Sequence, residues 1–417
     1  MQSRDCVRIL KCGSPFFLMH CWYIIKSYRI QRYKRGIMSK PDLLDIRQKI
    51  DAIDEKIVEL YKERIDVLKE VAEYKKANAK PVLDIAREEE KISSLKSKVE
   101  GDFYKKAVEE LYGQIMSTSR LYQYSLIDSK AKSAAFGFKM LDELPRTDGS
   151  AKVVYQGIEG AYSNIVAKKY FADKAKLYNV RSFEEAIIEV LEERADYALL
   201  PIVNSCAGPV WEVYDLLREL SVYIVADYEY NIEHALMAVE EASLSDIKSV
   251  CSHIQALSQC KEYLAEHKDW QKIEIANTAL AAKKVKDDKD PTQAAIAAKE
   301  AAGIYGLKIL KEQVNKFKHN TTRFVVLSKQ KIYQSGAGKL SISFELKHKP
   351  GTLYKILAAF LFNDINMLNI ESRPIPEKVW EYRFFVDLEG SLHESNVKDA
   401  IYFIEQNTKE FRILGNY

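Results

Sequence analysis

From Ser39 to Asp128 the sequence carries only two glycines, Gly101 and Gly113, and its apolar residues recur every three or four positions. Leu43, Ile46, Ile50, Ile53, Ile57 and Leu60 therefore share one face of a long helix. Pro81 interrupts the pattern, Asp84 is placed to cap a second helix beginning at Ile85, and Gly101–Asp102 opens a third that runs to about Ile127. This texture predicts an all-helical unit over 39–128, packed by its apolar stripes.

Those stripes contain residues that packing alone does not favour. Past Leu60 the first seam continues as Arg64, Val67 and Val71, and Lys75 lies three turns beyond Arg64 on the same face. On the third helix Val108, Tyr112 and Ile115 lead into Ser119 and Gln123, and on the second Asp84, Arg87 and Glu88 share a face. A buried cation is costly unless paired or ligand-filled. Arg64 alone is accounted for by snorkelling or by a helix carboxylate. Arg64, Lys75, Ser119 and Gln123 together, inward in one small bundle, point to a polar cavity for an anionic small molecule.

A charged stretch with Gly, Ser and Pro over 129–151 reads as linker, and from Lys152 the texture becomes α/β. Short apolar strands (Val153–Tyr155, Tyr197–Pro201, Tyr223–Ala226, Phe324–Leu327) alternate with helical segments such as 183–194 and 292–302. The C-terminal residues give strand, helix, strand, strand, helix, strand, beginning near Leu340, Thr352, Asn366, Val379, Glu394 and Phe411. That order is the split βαβ, ferredoxin-like arrangement.

A chain of 417 residues is too long for one core, so several domains are expected. Its formal net charge of +3 gives no reason to expect a nucleic-acid partner, and no apolar run approaches the roughly 18 residues of a membrane span. No G-x-G-x-x-G follows a strand, which disfavours a nicotinamide dehydrogenase, and no cofactor is expected. The six cysteines have no CxxC spacing, so neither a metal site nor a disulfide framework is expected, and the compartment reads as reducing and cytoplasmic. Residues 1–37, basic and rich in cysteine and aromatics, read as a disordered extension or as lying upstream of a true start at Met38.

The run Leu44–Leu60, with Arg64, Lys75, Asp84, Arg87, Glu88, Ser119 and Gln123 behind it, resembles the all-helical chorismate mutase domain at each active-site spacing. The resemblance implies an intertwined dimer in which Arg47 reaches into the partner's site. Arg47, Arg64 and Arg87 would hold the two carboxylates of chorismate. Lys75 and Gln123 would donate to the ether oxygen, Glu88 would take the ring hydroxyl, and Asp84 and Ser119 would orient neighbours and substrate. The rearrangement is intramolecular and needs no nucleophile.

Residues 152–329 carry motifs that are weak singly: Gly157-x-x-Gly160-Ala161-Tyr162-Ser163, Asn204-Ser205-x-x-Gly208, Thr278 at a helix start, and Asn320-Thr321-Thr322-Arg323-Phe324. The first reads equally as a plain strand–helix turn, and Thr278 as a cap. In this order they resemble prephenate dehydratase, which implies two α/β lobes of periplasmic-binding type with substrate between them. By that resemblance Thr322 is the proton donor, Arg323 an anchor or positioning group, and Gly160, Asn204, Ser205 and Thr278 bind substrate. His234 and His253 read as lobe-packing and hinge elements. The family usually has Glu where Val203 stands and Ser where Asn277 stands.

Residues 338–417 resemble an ACT domain, on Lys349-Pro350-Gly351-x-Leu353 and Glu371-Ser372-Arg373-Pro374. The implied site for the effector, phenylalanine, comprises Gly351, Leu353, Glu371, Ser372 and Arg373, at an interface of a homodimer or higher oligomer. Thr352 and Tyr354 depart from the family's usual small residue and valine. The sum is a bifunctional chorismate mutase/prephenate dehydratase with feedback control, from which removal of residues from about 338 onward leaves an active, insensitive enzyme. Two other readings stay open: a non-enzymatic amino-acid sensor, and a mutase whose dehydratase activity is degraded.

Overall fold

The computed structural model describes residues 42–78, 80–126, 136–145, 149–316, 319–375, 378 and 380–417. The expectation for residues 1–37 lies outside them. The chain divides into two units, one ending at Ala77 and the other running from Asn78 to Tyr417. No helix among the described residues is long and apolar enough to cross a membrane.

The described part of the first unit is one helix, α1 (Leu43–Ala77), whose 35 residues span about 50 Å. The periodic stripe is on it, and Ile50, Ile53, Ile57, Leu60 and Val67 are all more than half exposed. A continuous apolar face of this length calls for a cover.

The second unit begins with α2 (Ile85–Lys96), capped by Asp84, whose side chain accepts from the Arg87 amide. Gly101, at a φ of 86°, turns the chain into α3 (Asp102–Ser125). Two α/β lobes follow. The first is built on strands ordered 223–231, 321–328, 197–204, 151–156 and 175–180. The second is built on strands ordered 308–311, 234–238, 293–298, 249–252 and 271–274. The chain leaves the first lobe between Asn231 and His234 and re-enters it at Asn320, whose carbonyl accepts the Ile232 amide, so the lobes are tied by two adjacent crossings.

Two sequence expectations fail here for physical reasons. The segment 292–302 is not one helix: Gln293–Ala298 is a strand buried along its whole length, and only Lys299–Tyr305 is helical. Its alanines have high helix propensity, but the strand lies inside the second sheet, where small residues pack under helices on both faces. The segment 129–151 is not simply linker. Lys139–Leu141 pairs in parallel with Ile332–Gln334, and Phe136 and Leu144 are buried.

The C-terminal elements are strands 339–345, 367–374, 382–389 and 409–416 with helices 352–362 and 395–407. Their sheet, ordered 367–374, 382–389, 339–345, 409–416, is antiparallel and ferredoxin-like as expected. This sheet does not stand apart. Strand 409–416 meets strand 223–231 of the first lobe, with Gly415 opposite Ile224, so the two sheets run into one another. Phe385, Leu414 and Tyr417 share a core with Tyr214, Leu217, Val222 and Ile224. Removal of residues from 338 onward would therefore strip apolar cover from the first lobe rather than lift off an independent module.

Gly415 permits the join. A Cβ there would lie 2.1 Å from the Ile224 carbonyl oxygen. Overpacking of this kind costs about 1–3 kcal/mol. Gly415→Ala is expected to lower the melting temperature by several degrees, whereas Gly336→Ala, with nothing within 4 Å of the new methyl, leaves it unchanged. Thermal denaturation of the two variants checks this.

Candidate active sites

On the helical pair, α3 turns its C-terminal half inward. Ser119, Arg120 and Gln123 are each 5% exposed or less. Gln123 Nε2 donates to the Ser119 carbonyl at 3.1 Å, and the Ser119 hydroxyl donates to the Ile115 carbonyl. Glu88 on α2 faces this surface and is held by Arg120, whose Nη1 lies 2.5 and 2.6 Å from its two oxygens. Asp84 is committed to capping α2, and Arg87 is exposed on Glu90 at 2.7 Å. On α1, Arg64 and Lys75 are half-buried and Arg47 is exposed. Glu88, Ser119 and Gln123 are thus brought to one inner surface, while Asp84 and Arg87 stand at the start of α2. Arg120 was not anticipated. Its signal was present, because Met116, Arg120 and Tyr124 form a second stripe with an arginine in the middle, as Arg64 does in the first.

Between the α/β lobes lies a cleft of about 470 Å³. Ala161, Tyr162 and Ser163, Asn204, Gly208, His234, His253, Gln259, Thr278 and Thr322 line it. Thr322 sits on strand 321–328, and side chains two apart on a strand share a face, so Thr322 and Phe324 both line the cleft. Asn204 Nδ2 donates to Thr322 Oγ1 and to Asn320 Oδ1, each at 2.8 Å, while its own Oδ1 accepts the Cys206 and Ala207 amides. Asn320 Nδ2 in turn donates to Gln259 Oε1 at 3.0 Å, joining the lobes.

His234 closes this network. Its Nε2 lies 2.9 Å from Gln259 Oε1, and its Nδ1 lies 2.9 Å from the Tyr162 hydroxyl. Burial pushes its imidazole down to about 4, outweighing the Gln259 hydrogen bond. The neutral ring is a structural tie between the lobes.

Not every expected ligand faces the cleft. Gly160 stands behind it, at a φ of 84°, with its amide on Asn164 Oδ1. Ser205 accepts the Thr321 amide at 2.9 Å and donates to the His319 carbonyl, so it braces strand 321–328 from outside. Arg323, one residue from Thr322, points to the opposite face and pairs with Asp387 of the C-terminal domain at 2.8 Å. It does not line the cleft, so the expectation of a substrate anchor is displaced. Val203 is in register with Arg323, so the position where the family has Glu offers no carboxylate to that guanidinium. Asn277 caps helix 278–288 through its side chain, which explains how an asparagine serves there. Among the described residues that line the cleft, none is Arg or Lys.

In the C-terminal domain Gly351 caps helix 352–362 at a φ of 78°. Leu353 and Thr352 border a groove of about 80 Å³ with Lys349 and Phe384. Glu371 is half-buried and Ser372 exposed on the edge strand. Arg373 is turned away from that groove: it binds the Trp211 carbonyl at 2.9 Å and pairs with Asp215 at 2.6 Å on the first lobe.

These features describe a polar cleft between two α/β lobes and, apart from it, a set of inward polar side chains on a helical pair, and comparison with known proteins gives the class. The family profile described as chorismate mutase type II matches residues 46–124, and that described as prephenate dehydratase matches residues 153–332. A bifunctional chorismate mutase/prephenate dehydratase of Buchnera aphidicola (subsp. Schizaphis graminum) is 32% identical over 393 residues, covering 91% of this chain and 97% of that protein. Among solved structures, the prephenate dehydratase of Arthrobacter aurescens in complex with L-Phe is 28% identical with a TM-score of 0.59, covering 64% of this chain and 89% of that one. A protein described as a novel type of quorum quenching acylase is 27% identical with a TM-score of 0.58, covering 64% of this chain and 97% of that one.

The chain belongs to the bifunctional chorismate mutase/prephenate dehydratase family, and both enzymatic domains of that family are present in it.

The neutral His234 makes stability depend on pH with a defined sign. The unfolded chain takes up the proton near 6.5 and the folded chain only near 4, so stability present above 6.5 is lost as pH falls toward 4. The loss is expected to reach up to about 3 kcal/mol. Melting curves between these limits should fall steeply for the native protein and more shallowly for His234→Gln.

Proposed function

We propose that this chain rearranges chorismate to prephenate in its helical domain and converts prephenate to phenylpyruvate in the cleft, with phenylalanine at the C-terminal domain restraining the second reaction. The observation that carries the reading is the Thr322 hydroxyl, buried in a cleft and held by Asn204. Because Asn204 donates to Oγ1, the threonine proton is left for the substrate, and a hydroxyl that accepts a hydrogen bond is the stronger donor. Thr322 protonates the leaving ring hydroxyl, CO2 departs, its electron pair enters the ring, and aromatisation drives both losses. A threonine is a weak acid, so positioning carries much of the rate.

With no Arg or Lys among the described residues that line the cleft, the substrate carboxylates fall to backbone amides at the starts of helices Tyr162–Phe171 and Thr278–Asp288. Gly160 lets the first of these turns form, and Thr278 and Asn204 supply hydroxyl and amide groups. Ser205 and Arg323 act through the strand rather than on the substrate.

For the first reaction, Arg64, Arg87 and a partner chain's Arg47 hold the carboxylates of chorismate. Lys75 and Gln123 stabilise charge on the ether oxygen, Glu88 takes the ring hydroxyl, and Asp84 and Ser119 orient their neighbours. The uncovered stripe of α1 supports a second copy of this chain as its cover, giving the intertwined homodimer. The ferredoxin-like C-terminal unit acts as an ACT domain, with Gly351, Leu353, Glu371 and Ser372 at a phenylalanine site completed by another copy. Arg373 couples that site to the lobe helix carrying Asp215. The compartment that goes with this reading is the cytoplasm.

Feeding chorismate to the pure protein while following prephenate and phenylpyruvate tests the whole scheme. Arg64→Ala should abolish the first step and spare supplied prephenate. Thr322→Ala should cut phenylpyruvate about 100-fold or more while prephenate accumulates. Phenylalanine should slow the second step several-fold, as a typical coupling of about 1–3 kcal/mol implies. Both substitutions without effect, or no binding of phenylalanine at millimolar concentration, would each remove the corresponding part.

A further inference from the structure

Arg120 lies in the second half of α3, flanked by Met116 and Tyr124 one turn to either side, and its side chain is only 6% exposed. A guanidinium in such a place requires an anion, and the one it has is Glu88, itself 27% exposed. One nitrogen, Nη1, sits between both carboxylate oxygens, at 2.5 and 2.6 Å. This grips the carboxylate as a unit and fixes its rotation, as a single hydrogen bond would not. The other side of the guanidinium is covered. Its central carbon lies 5.8 Å from the centre of the Phe403 ring, on helix 395–407 of the C-terminal domain. Tyr124 packs edge-on against Phe403 at 5.9 Å and against Tyr402 at 5.4 Å, so α3 is seated on that helix by aromatic contacts one turn beyond the arginine.

We propose that Arg120 is a positioning residue of the mutase site: it holds the Glu88 carboxylate in the orientation that receives the substrate's ring hydroxyl, and the C-terminal domain holds Arg120. The proposal rests on the reading of Glu88 as a mutase residue. A carboxylate on α2 is otherwise free to rotate through its rotamers, and a hydrogen-bond acceptor that must meet one hydroxyl loses rate when its orientation is not fixed. Arg120 does this without touching substrate. A carboxylate gripped at both oxygens from one side retains lone pairs on the other side for the hydroxyl.

The test uses the full chain, with chorismate and prephenate supplied separately. Arg120→Met keeps length and packing but removes the charge. It is expected to lower mutase kcat roughly ten- to a hundredfold, with a smaller change in KM, and to leave turnover of prephenate unchanged, which reports that the chain is folded. Arg120→Lys restores part of the loss, because a charge returns without the planar, preorganised guanidinium. The decisive measurement is the double variant. If Arg120 acts through Glu88, adding Arg120→Met to Glu88→Gln costs little beyond Glu88→Gln alone. A merely structural arginine would make the two losses multiply, and that result overturns the proposal. So does full or increased mutase activity of Arg120→Met beside an impaired Glu88→Gln. Full activity of Glu88→Gln itself removes the reading of Glu88, and the proposal falls with it.

Discussion

The ion pair between Arg323 and Asp387 fixes how the second half of this molecule is assembled. Both side chains are nearly buried, and Asp387 also accepts the Ser341 hydroxyl at 2.5 Å, with the Tyr417 hydroxyl 2.7 Å beyond. Breaking a buried pair from one side costs about 3–5 kcal/mol, because the partner is left charged and desolvated. Strand periodicity makes the consequence unavoidable. Thr322 and Phe324 face the cleft, so Arg323 and Val325 face the C-terminal domain, and one strand carries the Thr322 hydroxyl on one side and the domain junction on the other.

Other contacts follow the same seam. Arg412 reaches the carbonyls of Arg218, Leu220 and Val222, at the end of a lobe helix, and Lys339 pairs with Asp227 at 2.7 Å. Arg373 lies over the Trp211 ring and pairs with Asp215 of that helix. Helix 211–219 follows the Asn204–Gly208 loop that holds Thr322, so a displacement of the edge strand has a short physical path to the cleft. An effector uses such a path only if it binds two arrangements of the seam unequally. The same domain also touches α3 through Phe403, which places it against residues of both enzymatic domains.

Much of this was legible in the sequence, and the limits are physical. The Asp84 cap, the α2 start at Ile85 and the Gly101 turn emerged where the pattern put them, because capping and glycine chemistry are local. The order of the C-terminal elements was readable for the same reason. Segment 292–302 was misread, because alanine propensity is a weak prior that burial inside a sheet overrides. The direction of Arg323 followed from alternation once Thr322 faced the cleft, yet its partner lies 64 residues away and no local signal names it. Arg120 was overlooked although the inward-arginine argument already applied to Arg64, since its stripe lies beside the one traced through Ser119 and Gln123. Val203 and Asn277 departed from the family pattern, and only the structure gave each a place, one in register with Arg323 and one as a helix cap.

The claim that the C-terminal domain is built onto the strand that carries Thr322 is tested most directly by amide hydrogen exchange in the full-length protein with Asp387→Asn. Loss of the carboxylate charge leaves Arg323 buried without its counter-ion, so the amides of strand 321–328 and of its neighbour 223–231 should exchange faster than in the native protein. Those of strands 293–298 and 249–252, in the other lobe, should keep their protection. Unchanged protection of strand 321–328 would contradict the account and make the C-terminal domain a neighbour of the dehydratase rather than part of its frame.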